Sequence, residues 1–430
     1  MAGGRSGLQR STVVWGSVIL AGALAVRVAY VALTSGYRTV YDAGDYYRIG
    51  VSLAHGHGFA PSVYAAGASA LRPPLYPLFL AVPFWAGHDS VTLARLLQAV
   101  LGVATVALIG VLAGQLWGRR AALVGAALAA ALPALVVMGG VLMTELLFVT
   151  LMAAALVAAL AARTSPHRLR WAAGAGALGG LAALVRPNGA AVVVGAAVVV
   201  GTGLRGHRRR ALQAAGVVVA AAVVVVLPWT VRNAVTFHAF VPISDSTGFN
   251  LAGTYNSHQA RAPEPLTASW GYPPATPGPA ARFSGPHPSE YVLMERLQSD
   301  AVRYAEHHPL YVVETTALNS WRILGGQPSY WLHFSGLSVG VGATAQDAWY
   351  AGWLALAALG ALGLVLAPVR RGVPVGVWLV PLLLLVSAAQ VDGEARYRTP
   401  LEVFVVLVAG AGLAELHDRR SSRKGRSTTA

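Results

Sequence analysis

The stretch "YDAGDYYRIG", residues 41–50, puts two carboxylates, Asp42 and Asp45, three residues apart among tyrosines. A carboxylate held in place can take the proton of a hydroxyl group as that hydroxyl attacks, so this pair, with Tyr46 beside it, could act as a general base. The competing use is local: Asp42 could cap a helix that starts there. A second stretch, "LRPPLYPLF" (71–79), supplies the opposite charge. Its two prolines stiffen the backbone after Arg72, and a fixed guanidinium binds phosphate oxygens in a planar, two-pronged fashion. The alternative there is an arginine snorkelling beside lipid headgroups. A third stretch, "DGEARYRTPLEVF" (392–404), sets Arg396 and Arg398 on either side of Tyr397, just before an apolar run. Glu145 in "LMTELLF" and Arg186 in "LVRPNG" also stand at the ends of apolar runs. Ionisable groups in such positions suggest function, with mutual pairing inside a bundle as the other explanation. Asp42 and Asp45 are therefore the catalytic candidates, and Arg72, Arg396 and Arg398 the candidates for binding a phosphate. Tyr46, Glu145 and Arg186 are supporting. His55 and His57 in "AHGHGF" fit no metal-ligand spacing, so no metal is assigned, and a divalent cation stays open as a cofactor.

The elements that must position these groups are membrane helices. The chain has 430 residues, 55% of them hydrophobic and only 11% charged, with a mean hydropathy of +0.56. Soluble domains carry about 25% charged residues. Apolar runs long enough to cross a bilayer recur along the chain, so the expectation is an all-α polytopic membrane protein. The first run, "STVVWGSVILAGALAVRVAYVAL", is too long for a signal peptide and lacks a cleavage signature, so it is expected to stay as a helix. About ten spans are expected, near 12–34, 91–116, 121–138, 141–162, 171–186, 188–204, 211–231, 347–368, 373–390 and 399–416. The net charge of +15 sits mainly in short connectors: "GRR" (118–120), "RTSPHRLR" (163–170), "RGHRRR" (205–210), "VRRG" (369–372) and the tail "HDRRSSRKGR" (417–426). That is the positive-inside pattern rather than a nucleic-acid surface. It places both termini in the cytoplasm and two long segments, 35–90 and 234–346, outside. The chain divides into an N-terminal catalytic module, 1–233, the large external segment, 234–346, and C-terminal helices with a basic tail, 347–430. With no cysteine, thiol chemistry and disulfides are excluded. A transporter or lipid flippase is the competing function class, but such proteins gather charge near the midplane and show repeats. Here the charges collect at outer helix ends.

The order of these elements resembles the C-type (GT-C) glycosyltransferase superfamily, in particular the relatives of glycosyltransferase family 39, which include protein O-mannosyltransferases and the lipid A aminoarabinose transferase. The resemblance runs through "YDAGDYYRIG", "RPPLYPLFLAVPF", "GRRAALVGAALAAALPA", "LMTELLF", "ALVRPNG", "LPWTVRNAVTFHAFVPIS" and "RYRTPLEVF". It implies a GT-C bundle in the cell membrane whose site faces the periplasm or exterior. It further implies transfer of a sugar, with inversion, from a polyprenyl-phosphate donor to a hydroxyl in an envelope glycan, lipid or protein. The family's catalytic aspartate falls at Asp42. Several relatives have Glu as the next residue; this chain has Ala43, with its second carboxylate at Asp45. The family's basic residue before the paired prolines falls at Arg72, and Glu145 matches a recurrent acid at an outer helix end. Whether the sugar is a hexose or a pentose stays open.

Overall fold

The computed structural model describes residues 2–62, 64–65, 67–203, 206–263, 269–273, 289–326, 336, 338–366 and 372–427. Parts of the segment 234–346 and the connector arginines 205, 370 and 371 lie outside the described residues. Among the described residues the secondary structure is helical. In order, the helices are α1 (Ala2–Leu33), α2 (Tyr41–Ala54), α3 (Leu75–Gly87), α4 (Val91–Trp117), α5 (Arg119–Ala131) and α6 (Pro133–Gly140). Then come α7 (Glu145–Thr164), α8 (Arg168–Val185), a 3-10 turn (Pro187–Gly189), α9 (Ala190–Thr202) and α10 (Arg208–Phe237). The segment 234–346 forms α11 (Thr247–Thr254), α12 (Ser257–Ala260), α13 (Glu290–His307) and α14 (Pro309–Ile323). The chain closes with α15 (Ala343–Val365), α16 (Val375–Ala389), a 3-10 turn (Ala395–Arg398) and α17 (Thr399–Ser427).

Each expected span overlaps a helix among the described residues. Among the described residues six helices are long and apolar enough to cross a membrane, or seven if the bent pair α5–α6 is one span. α5 and α6 meet at 52°, because Pro133 cannot donate the hydrogen bond that would continue α5. α9 and α16 are shorter apolar helices. A 3-10 turn, Pro187–Gly189, joins α8 to α9.

α7 is largely enclosed by the bundle, with residues such as Leu146, Phe148, Val149 and Met152 shut off from the surface. α8 and α10 touch backbone to backbone. A methyl group added at Gly176 would lie 2.0 Å from the Val218 carbonyl oxygen, and one at Gly180 2.8 Å from that of Ala222. Small residues four apart allow this approach, which lets dispersion and weak hydrogen bonds hold helices where lipid offers no hydrophobic drive. α13 buries Glu290, Leu293, Met294, Leu297 and Ala301, and packs against α11. On the same helix Val292 and Val302 point outward. α14 exposes Leu310, Val313 and Trp321 on one stripe, while its buried face, Thr315, Asn319 and Arg322, meets the bundle. Such an inverted helix suits a lipid-facing position.

Because the natural chain has no cysteine, single-cysteine variants report sidedness directly. His57→Cys, in the exposed turn after α2, is expected to react with an impermeant thiol reagent in intact cells. His167→Cys, in the connector between α7 and α8, is expected to react only after permeabilisation. The reverse pattern would overturn the orientation.

Candidate active site

α2 starts at Tyr41, whose φ of +46° is left-handed, and its N-cap, Val40, makes no side-chain cap. Asp42 therefore spends its carboxylate elsewhere. One oxygen accepts from Arg72 Nη2 at 2.5 Å and the other from Arg396 Nη1 at 2.8 Å. Asp45, one helical turn later, accepts from the same Arg72 Nη2 at 3.0 Å and from its Nε at 3.3 Å. Three residues on a helix bring side chains to one face, so the i,i+3 spacing seen in the sequence lets a single guanidinium bridge both carboxylates. Pro73 and Pro74 then lead directly into α3, whose N-cap is Pro74.

The contacts continue from there. Arg396 Nε lies 2.5 Å from Glu394 Oε2, which also accepts from the Ser338 hydroxyl at 3.3 Å. The Tyr397 ring stands between two guanidiniums, Arg396 at 5.1 Å and Arg186 at 5.2 Å. Arg186 in turn donates to Glu145 at 2.6 Å and to the Thr144 hydroxyl at 3.0 Å. On the other side, Arg72 lies 5.3 Å over the Tyr46 ring, which packs edge-on against Tyr76. Asp42, Asp45, Tyr46, Arg72, Glu145, Arg186 and Arg396 thus form one connected cluster. It sits at the start of α7 and the end of α8, opposite the basic connector that joins those two helices.

Arg398 is not brought to this cluster. It is 1% exposed, donates to Glu402 at 2.7 Å and to the Ile323 carbonyl at 3.2 Å, and lies over Trp353. A 3-10 turn advances about 120° per residue, so side chains two apart leave the backbone about 120° away from each other. Arg396 reaches the site and Arg398 turns into the bundle. Two acids in the same motif join in without having been singled out from the sequence: Glu394, and Asp392 beside it.

Burial alone would raise the Asp42 carboxyl, but Arg72 and Arg396 hold it well below the usual carboxylate range. Burial likewise opposes charge on Arg72, and Asp42 and Asp45 more than offset it, so its proton is held more firmly than usual. Asp392 is pushed up to about 8 by burial and by the neighbouring Glu394. Burial also raises Glu394, against the pull of Arg396. Among the described residues no cluster of three or more His, Cys, Asp or Glu could hold a metal. What the geometry offers is a pair of guanidiniums converging on one carboxylate, an arrangement suited to an anionic leaving group beside a base.

In sequence, residues 71–230 match the model of the family described as dolichyl-phosphate-mannose-protein mannosyltransferase. Arg72, Glu145 and Arg186 fall inside that region, and Asp42, Asp45 and Arg396 outside it. No curated protein matches the sequence. In structure, the oligosaccharyltransferase AglB from Archaeoglobus fulgidus, solved with an inhibitory peptide and a dolichol-phosphate, aligns with a TM-score of 0.52 at 15% identity, over 97% of this chain and 52% of that one. The apo form of the Archaeoglobus fulgidus oligosaccharyltransferase gives 0.54 at 15% identity, over 96% and 52%. ArnT from Cupriavidus metallidurans bound to undecaprenyl phosphate gives 0.41 at 15% identity, over 95% and 78%. This chain spans about half the length of the archaeal structures. The resemblance to GT-C glycosyltransferases read from the sequence is thus met twice, by the mannosyltransferase family match over residues 71–230 and by the fold of the archaeal oligosaccharyltransferase over nearly the whole chain.

Proposed function

We propose that this protein transfers a sugar from a polyprenyl-phosphate donor to a hydroxyl acceptor on the outer face of the membrane, with inversion at the anomeric carbon. The observation that carries the reading is the hold on Asp42, whose two oxygens are taken by arginines from distant parts of the chain. In the reaction the acceptor oxygen attacks the anomeric carbon, the bond from that carbon to the phosphate oxygen breaks, and polyprenyl phosphate leaves. The hydroxyl proton passes to Asp42. Negative charge grows on the phosphate oxygens in the transition state, where fixed cations are worth most; Arg72 and Arg396 would supply them.

The same geometry orders the events. With no donor bound, both guanidiniums lean on Asp42 and make it a weak base. A phosphate that engages Arg72 and Arg396 draws them from the carboxylate, and the proton affinity of Asp42 rises when a base is needed. Asp45 keeps its own contact with Arg72 and orients it. Glu145 and Arg186, acting through Tyr397, support Arg396. The acceptor would be a glycan, lipid or protein of the cell envelope.

The test is incubation of purified protein with a labelled polyprenyl-phosphate sugar and membrane extract. Label in a new covalent product, lost in Asp42→Asn, supports the enzyme. Label carried across a vesicle membrane with its phosphate bond intact would instead favour a flippase.

A further inference from the structure

Arg72 owes its position to a segment far away in sequence. The three residues before it, Ser69, Ala70 and Leu71, are buried, and their polar groups are met by the segment 234–346 and the end of α10. Glu290 opens α13 at 1% exposure. It accepts from the Ala70 N–H at 2.6 Å, the Leu71 N–H at 3.0 Å and the Ser69 hydroxyl at 2.8 Å. From the other side, Arg232 donates to the Ser69 carbonyl at 2.9 Å. The Asp245 N–H reaches the Ala70 carbonyl at 3.3 Å, and the Ser244 hydroxyl donates to the Leu71 carbonyl at 2.8 Å. A peptide gripped on both edges has little freedom left, and Pro73 removes more immediately after Arg72.

We propose that Glu290, with Ser244 and Arg232, is a positioning device for Arg72: it fixes the peptide that delivers the guanidinium to the bound phosphate. This deepens the assignment of Arg72 to a phosphate and rests on it. Glu290 is a positioning residue, since it touches the backbone before Arg72 and not the reacting atoms.

The grip also carries a pH limit. The Asp245 carboxyl is buried against Glu290, and burial first, then the Glu290 charge, pushes it up to about 8. The charged or titratable groups that face it are Glu290 and Arg232; the 69–71 peptide offers only N–H, carbonyl and hydroxyl groups. An acid raised this far holds its proton in the folded state after the unfolded chain has lost its own. The folded state therefore loses stability as pH climbs from about 4 to about 8. Above that, two carboxylates face each other across the grip and loosen it.

The experiment measures binding of a short-chain polyprenyl phosphate to the full-length protein in detergent, which needs no sugar transfer. Glu290→Ala is expected to weaken binding about tenfold, the loss of a hydrogen bond to a charged group. Glu290→Gln, which keeps one acceptor oxygen, is expected to recover part of it. Wild-type binding is expected to weaken above pH about 8, and that alkaline loss is expected to vanish in Asp245→Asn. Wild-type affinity in a folded Glu290→Ala variant would overturn the proposal. An alkaline limb unchanged in Asp245→Asn would overturn the pH limit, and wild-type affinity in Glu290→Gln would overturn the positioning role if Glu290→Ala does not fold. A wild-type protein that binds the phosphate but transfers no sugar would instead count against the glycosyltransferase reading and leave the positioning result standing.

Discussion

Asp42→Asn is expected to lower the rate of sugar transfer about a hundredfold or more, within the range of 10²–10⁴ that general bases contribute. The amide keeps the shape of the side chain and can still accept a hydrogen bond, but it cannot take a proton at neutral pH. The fold is expected to survive because neither arginine is stranded: Arg72 keeps Asp45 at 3.0 Å, and Arg396 keeps Glu394 at 2.5 Å. Melting temperature should therefore stay near that of the wild type while turnover collapses. Asp45→Asn is expected to be milder, since Asp45 meets Arg72 but not Arg396. Turnover rates of the two variants, measured side by side, decide between the carboxylates. A defect at Asp45 far larger than at Asp42 would move the base to Asp45.

Arg72→Ala is expected to lower kcat/KM for the lipid-linked donor about ten- to a hundredfold, equivalent to the roughly 1.5–3 kcal/mol of a hydrogen bond to a charged group. Arg72→Lys should restore only part of this, because an ammonium group cannot bridge Asp42 and Asp45 and also offer a planar pair of donors to phosphate. A second signature follows from the hold on Asp42. With Arg72 gone, its carboxyl rises toward the ordinary range, and the facing Asp45 pushes the same way. The base is then ionised only at higher pH, so the acid limb of the pH–rate profile should shift upward in Arg72→Ala. Unchanged donor kinetics with an unmoved acid limb would remove Arg72 from the site.

How far the sequence reached can be judged residue by residue. The helices were legible because apolar runs of membrane length have few other uses, and the bend at Pro133 had its proline in plain view. Asp42, Asp45 and Arg72 could be singled out because charges are scarce here and these stand in stiff or helical contexts. Whether Asp42 caps α2 or faces arginines could not be read, since the answer depends on Arg396, 354 residues away. The parting of Arg396 from Arg398 depends on a local 3-10 turn that no periodicity announces. Glu290 was not singled out among the acids of the 234–346 segment. Its value lies in a peptide about 220 residues earlier, and long-range pairing of a side chain with backbone leaves no pattern in either segment.

The separation between Asp42 and Arg396 also sets a timetable for the making of the protein. Ribosomes add about 5–20 residues per second, so roughly 20 to 70 s pass between synthesis of the carboxylate and of its second arginine, the two being 354 residues apart. Once residue 230 has been made, the nascent chain holds Asp42, Arg72 and the whole mannosyltransferase-like region, yet until Arg396 follows it cannot complete the proposed phosphate site. A chain cut short before Arg396 is expected to keep Asp42 and Arg72 but lack the second guanidinium that meets the carboxylate, so under the proposed reaction it would transfer no sugar.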